Sequence, residues 1–439
     1  MTGTPETMPL RFSGYFRKKT GKPDTFLTQV GPGTPGGEYQ RRFWHPVGYV
    51  EELGKVPLRV RALGEDLVLF RAGNGEIGCL MMHCCHRNTS LEYGLVEEIG
   101  LRCCYHGRLF APDGTILEIP GDAHAERMMK ETSQGAYPVH VYYGMIFTYM
   151  GPPDRIPVFP DIDRMTLPGI KIVPRTRFVW PCNWMQIKEN SLDPYHTAVL
   201  HVIPQMRGAE RNFADEFGET PFITWTETPG GCMYLCARKV DDNIWVRSAE
   251  TYGANLHIIS SIFESGRERK EATVPFMTLW TLPVDDETSI NFYFSHVLEN
   301  EPMSWEKRDE MELYGQNDER PYAERQWIPG DHDAMVSQGG VNPHELEHLG
   351  SQDRGVTLFR RYIRRGIHAV QDGGDPEGFY MNQSQIAATY ANDHVAPLSE
   401  LGGEPTDDRV MRAYCEKIAQ DYFRKAPMER LRGKLKSPV

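Results

Sequence analysis

No stretch of this 439-residue chain approaches the run of roughly 18 apolar residues that would cross a bilayer, so no membrane partner is expected. Met1 to Thr20 is polar and lacks the apolar core of a signal peptide, which makes a cytoplasmic location the expectation. An excess of positive charge is missing too. The formal net charge is −12, and the only basic stretches, Arg360-Arg-Tyr-Ile-Arg-Arg365 and Arg430 to Lys436, read as a solvated face and a terminus. Nucleic-acid binding needs Lys and Arg concentrated on one surface and is excluded as a partner class. There is no glycine-rich strand–turn–helix fingerprint for a nicotinamide or flavin, no internal repeat and no low-complexity tract. Nine cysteines, an odd number in a chain this long, do not make a disulfide framework. Four of them crowd into Cys84-Cys85 and Cys103-Cys104, each pair close to a histidine, which points to metal.

What is present is the composition of a soluble globular protein, 40% hydrophobic and 25% charged, long enough for two domains. Residues 1–41 are rich in Gly, Pro and Thr and read as an extended lead-in. Residues 42–155 alternate short apolar runs with turn residues, notably Asn74-Gly75 and Asp113-Gly114. Such dipeptides tolerate positive φ and mark hairpins, so a small antiparallel β domain is expected. The Pro-rich stretch Pro152 to Pro160 marks its end. Residues 156–439 mix strand-like runs (Lys171 to Val179, Ile290 to Phe294) with helix-prone segments (Asn183 to Val199, Ser304 to Tyr314, Asp408 to Ala426). The fold class expected overall is α+β.

Cys84-Cys-His86 is followed, after sixteen residues, by Cys103-Cys-Tyr-His106. Two loops that each donate one thiolate and one imidazole suit a Rieske [2Fe–2S] cluster, in which one iron takes both sulfurs and the other both nitrogens. This assigns Cys84, His86, Cys103 and His106 as ligands and leaves Cys85 and Cys104 as neighbours. Zinc also accepts two Cys and two His, but its sites usually pair Cys with Cys and His with His along the chain. His83 and Cys79 read as strand-packing residues.

Downstream, Asp193 and His196 lie three residues apart, about 60° around a helix, while His201 lies a further 140° or so away. Both imidazoles converge only if the helix bends or ends. Two His and one carboxylate with open positions form the facial triad of non-haem Fe(II) oxygenases. The carboxylate is ambiguous at this stage. Asp193 is too close to His196 to be the obvious third ligand and better placed to hydrogen-bond its ring. Val199, Leu200, Ile203 and Met206 suit a pocket lining or a core equally. Cys232, Cys236, Trp184 and Tyr195 read as packing residues.

From about residue 40 to 365, the two motifs together resemble the α subunit of Rieske non-haem iron ring-hydroxylating oxygenases. The family pattern C-x-H…C-x-x-H precedes N-x-x-D-x-x-H-x₄-H, matched here by Asn190, Asp193, His196 and His201. The segments Gly330 to Gly340 and Glu347 to Val356 are similar to the phthalate-dioxygenase-like branch. That likeness implies Asp331 as the third iron ligand, with Asp333 the alternative. It implies a Rieske domain joined to a helix-grip catalytic domain, a mononuclear Fe(II) and O₂ as co-substrate. It implies an α-only homo-oligomer, a trimer or hexamer, in which Asp193 bridges His196 to a neighbouring subunit's cluster and Asn190 stands near the iron. It further implies a separate NAD(P)H-dependent reductase, with or without a ferredoxin domain. The substrate would be a small aromatic or cyclic molecule that is hydroxylated, dihydroxylated or oxidatively demethylated. The chain departs from the family at Cys85, Cys104 and Arg108, beside the ligands but without changing their spacing. The rival reading is a Rieske-type electron-transfer protein with a non-catalytic second domain.

Overall fold

Trp44–Tyr49, the first strand among the described residues, pairs antiparallel with Met145–Tyr149, which also pairs with Val139–Tyr142. This computed structural model describes residues 13–208, 215–262, 264–299, 317–379, 381 and 386–435. Between the paired ends lie two four-stranded sheets. One runs Leu58–Ala62, Glu65–Arg71, Ile77–Met81, Ala136–Tyr137, the other Leu95–Glu97, Gly100–Arg102, Leu109–Phe110, Ile116–Glu118. Gly75 and Gly114 take φ of 93° and 86° at the two turns, the left-handed conformation that Asn-Gly and Asp-Gly supply without strain. A Cβ at Gly114 would also stand 2.1 Å from the Gln134 carbonyl oxygen, so only glycine fits there. Val68, Phe70, Leu80, Leu101 and Phe110 form the core between these sheets, and Cys84 and Cys103 are part of it.

Among the described residues, the strands that follow build one nine-stranded antiparallel sheet. Its path is Ile170–Pro174, Ser289–Leu298, Met277–Pro283, Leu256–Ile259, Asn243–Tyr252, Gly231–Val240, Phe222–Thr228. Off this path, Phe178–Trp180 pairs with Ser289–Leu298 and Asn392–Pro397 pairs with Asn243–Tyr252. Strand periodicity sends Met233, Leu235, Ala237, Ile244 and Val246 to one face, under Met411, Tyr414, Ile418 and Tyr422 of helix Asp408–Arg424. Tyr234, Cys236 and Ala249 leave the other face and join a core that includes Phe359, Tyr362, Ile363 and Ile367 of helix Arg354–Gln371. A side chain of that size contributes about 1.5–3 kcal/mol when fully buried. A small β unit beside a sheet gripped by helices is the α+β helix-grip arrangement. No helix among the described residues is long and apolar enough to cross a membrane.

The extended lead-in is a correction. Thr25–Thr28 and Pro35–Gln40 are short helices, and Leu27, Val30 and Tyr39 are fully buried. The cause is local: Thr34 accepts from Gly37 N at 3.1 Å, Pro35 opens the helix, and Gly36 and Gly37 allow the backbone to close on Gln29 and Gly31. Ser304 to Tyr314, expected to be helix-prone, lies outside the described residues.

Candidate metal centres

The two cysteine loops share one backbone design. Asn88 N donates to Cys84 O at 2.9 Å, and Gly107 N donates to Cys103 O at 3.1 Å. The residue four after each cysteine is left-handed, Asn88 at φ 59° and Gly107 at φ 73°. Glycine reaches that region freely and asparagine does so more readily than other residues. Cys84 and Cys103 are buried, whereas His86 and His106 are exposed, with ring centroids 4.6 Å apart. Burial pushes the Cys84 thiol up to about 11, and Cys103 beside it adds to the effect. Two buried sulfurs side by side gain from a cationic partner that stabilises their thiolates. Partial desolvation, then Arg108, His106 and Arg87, lower the His86 pKa and favour the neutral ring that ligates metal. The donor set fits a Rieske cluster, sulfurs inside and imidazoles at the surface.

Two side chains without any motif brace these loops. Gln134, almost fully buried, accepts from Cys85 N at 2.8 Å and donates to Met81 O and His83 O. Arg102 pairs with Glu97 and Glu118 and donates to Gly107 O. Gln134 and Arg102 gave no sequence signal because their partners are set by tertiary approach; Asn88 could have been found as a residue tolerant of positive φ. Cys85 and Cys104 are exposed. His83, expected to pack in a strand, is exposed instead and meets Asn88 O at 3.1 Å.

The second site forms where a helix stops. Asn183 caps helix Trp184–Asn190, accepting from Met185 N at 3.1 Å. Pro194 cannot continue it, since proline lacks an N–H and disfavours helical geometry in the residue before it. Asp193 Oδ1 accepts from Tyr195 N at 2.9 Å, and a new short turn, His196–Ala198, begins. Arg238 steadies that turn by donating to Thr197 Oγ1 at 3.1 Å. The His196 and His201 rings thereby come to 5.2 Å between centroids.

Asp331 opens helix Asp331–Val336 and faces both rings, one oxygen 3.5 Å from His196 Nε2 and the other 3.5 Å from His201 Nε2. Ligand atoms of His196, His201 and Asp331 all lie within 4.8 Å of one another. Three donors about 2 Å from one metal stand roughly 3 Å apart, so a small contraction around an ion seats it. Asn190 Nδ2 reaches Asp331 Oδ1 at 3.4 Å. Asp193 Oδ2 lies 3.7 Å from His196 Nδ1, an ion-pair distance rather than a hydrogen bond. Burial lowers the His196 pKa, but Asp193 and Asp331 outweigh it and raise the ring above its ordinary value. A metal cation would meet the same negative field. Asp333 is engaged elsewhere: Arg325 and Arg320 pair with it at 2.6 and 3.2 Å, and it accepts from Gly330 N. Val199 and Met206 are exposed, while Trp184, Cys232 and Cys236 are buried in the core.

Comparison with known proteins agrees with this chemistry. Residues 43–138 match the family described as Rieske [2Fe-2S] domain. The chain is 41% identical to the tert-butanol monooxygenase / tert-amyl alcohol desaturase oxygenase subunit of Aquincola tertiaricarbonis, across 89% of this chain and 87% of that protein. It is 35% identical to the phenoxybenzoate dioxygenase subunit alpha of Ectopseudomonas oleovorans, across 83% and 89%. Among solved structures, dicamba monooxygenase bound to 3,6 dichlorosalicylic acid superposes with a TM-score of 0.55 at 18% identity, covering 76% of this chain and 98% of that one. That last likeness concerns the fold.

Proposed function

The chain belongs to the Rieske non-haem iron oxygenase α subunits, and from that premise we propose which of its residues carry the reaction. The protein is the terminal oxygenase component of such a system, an enzyme with a [2Fe–2S] cluster, a mononuclear iron and O₂ as co-substrate. Cys84, His86, Cys103 and His106 hold the cluster; His196, His201 and Asp331 hold the iron. The observation that carries this reading is the convergence of two imidazoles and one carboxylate within 4.8 Å, from segments far apart in the chain. When bound, the cluster supplies single electrons and the iron, with open positions, activates O₂. The protein fixes the ligands: Asn190 steadies the Asp331 carboxylate, Arg238 holds the turn bearing His196, and Gln134 and Arg102 hold the cluster loops. Residues 42–155 act as the Rieske unit and 156–439 as the catalytic unit, with residues 1–41 leading in. Support for that division comes from the strand pairing that closes at Tyr149.

The exposed His86 and His106 rings favour electron transfer between subunits of a homotrimer, with Asp193 linking His196 to His106 of the partner subunit. A reductase, with or without a ferredoxin domain, supplies electrons from NAD(P)H. The substrate is a small aromatic or cyclic molecule that is hydroxylated, dihydroxylated or oxidatively demethylated. An electron carrier with a non-catalytic second domain would have no need of the intact triad, which disfavours that rival. Asp331→Ala is expected to lose the mononuclear iron and all coupled turnover while keeping the cluster's visible absorption. Asp333→Ala is expected to keep both metals. Iron analysis of the two variants decides, and the reverse pattern would move the ligand to Asp333.

A further inference from the structure

The segments that supply His201 and Asp331 are held to the rest of the molecule very differently. Asp331 is buried and its surroundings are pinned: Arg320 donates to Ile328 O at 2.8 Å and pairs with Asp333 at 3.2 Å, and Asp333 accepts from Gly330 N. His201 instead leads into a single helical turn, Ile203–Met206, that contains no buried residue. Pro204 stands in this turn and Gly208, left-handed at φ 79°, follows its end, so residue order keeps it short. A helix of 4 residues is not stable by itself, and here no buried side chain makes up the difference. Val199 and Met206, on either side of His201, are both exposed.

Arg207, at the C-terminal end of that turn, reaches across to the Asp331 segment. One guanidinium nitrogen donates to Gln326 O at 3.4 Å and to Trp327 O, and the guanidinium carbon lies 4.3 Å from the centroid of the Trp327 ring. Gln326 and Trp327 end helix Tyr322–Trp327, and the last carbonyls of a helix have no partner within it. Arginine suits both tasks at once, because its flat guanidinium stacks on an aromatic face while its N–H groups donate in the plane. The helix Arg207 grips has no buried residue of its own, but it runs straight into the buried Ile328. Trp327 lies 4 residues before Asp331 and Arg207 lies 6 after His201. The contact therefore closes the outside of a ring whose inner side is the 3.5 Å approach of His201 Nε2 to Asp331.

Resting on the oxygenase reading above, we propose that Arg207 is a positioning residue for His201: by gripping the end of helix Tyr322–Trp327 it holds that imidazole opposite Asp331 and sets how firmly the mononuclear iron is kept. The test uses the intact protein with its cluster loaded, dialysed anaerobically against Fe(II) at a series of concentrations. Iron bound beyond that of the cluster gives the Kd of the mononuclear site. An exposed cation–π contact and a hydrogen bond together are worth about tenfold, so Arg207→Met is expected to weaken that Kd about tenfold. Arg207→Lys keeps a cation over the ring and should recover part of the loss. Trp327→Leu should lose part, and adding it to Arg207→Met should make nothing worse, since both act through one contact. Arg207 and Trp327 are exposed, so the urea midpoint and the cluster's visible absorption should be the same in every variant. An unchanged Kd in Arg207→Met, a loss that is matched by a falling urea midpoint, or additive losses in the double variant would overturn the proposal and leave the oxygenase reading standing. A wild-type protein that binds no iron beyond the cluster would overturn both.

Discussion

Asp331 and Asp333 sit two residues apart on one short helix and meet opposite surroundings. One faces two imidazoles; the other is held by two arginines and a backbone N–H. Sequence alone leaves that choice open, because Arg320 and Arg325 reveal their direction only once the chain is folded. Glu250 shows the same dependence on surroundings. It is fully buried, and burial raises its pKa to about 7 despite bonds from Thr228 and Tyr390. A raised folded-state pKa favours the protonated form, so the contribution is fully present below about pH 4.5 and is lost as pH rises through 7. Glu250→Gln is therefore expected to match the wild type near pH 4.5 and to be more stable at pH 8. The full shift would amount to roughly 3 kcal/mol, and denaturant midpoints at both pH values check it. Cys84, His86, Cys103, His106, His196 and His201 could be singled out from spacing, since chemistry requires those types at those intervals. Gln134 could not, since it sits in no motif and meets Cys85, Met81 and His83 only through tertiary approach.

Helix Trp184–Asn190 is short because Pro194 follows, and its end is what lets two histidines five residues apart face one carboxylate. That much is readable from residue order. The element that secures the helix was read differently. The basic run from Arg360 to Arg365 looks like a solvated face, yet Arg360 is largely buried and pairs with Glu189 at 2.6 Å and Glu347 at 2.6 Å. Burial raises the Glu189 pKa against the pull of Arg360, whereas Arg360 draws Glu347 below its ordinary value despite burial. The pair ties the iron-side helix to helix Arg354–Gln371. Arg360→Met would strand two carboxylates in a low-dielectric setting and is expected to cost about 3 kcal/mol. It should also weaken retention of the mononuclear iron while sparing the cluster. Urea denaturation and iron analysis check both, and unchanged stability would remove the latch. The lead-in failed for a related reason: its glycines serve close packing, which looks like flexibility in a sequence.

At the scale of the molecule, the α+β class and the succession of a small β unit and a larger mixed one follow from turn spacing and periodicity. The nine-stranded order does not, because pairing such as Asn392–Pro397 with Asn243–Tyr252 joins segments far apart in the chain. One candidate metal centre sits in two loops of the small β unit and the other at the end of helix Trp184–Asn190, and the account makes turnover depend on contact between subunits. Asp193→Ala is expected to keep both metals and the oligomer's mass while losing about a hundredfold or more of coupled turnover, in keeping with loss of a residue that orients a metal ligand. Normal turnover in that variant would remove the bridge. The most direct test of the whole account is iron and acid-labile sulfide per chain in anaerobically purified protein. It predicts about three irons and two sulfides, one [2Fe–2S] cluster plus one mononuclear site. Two irons with two sulfides, persisting after Fe(II) is added, would contradict it and leave an electron carrier.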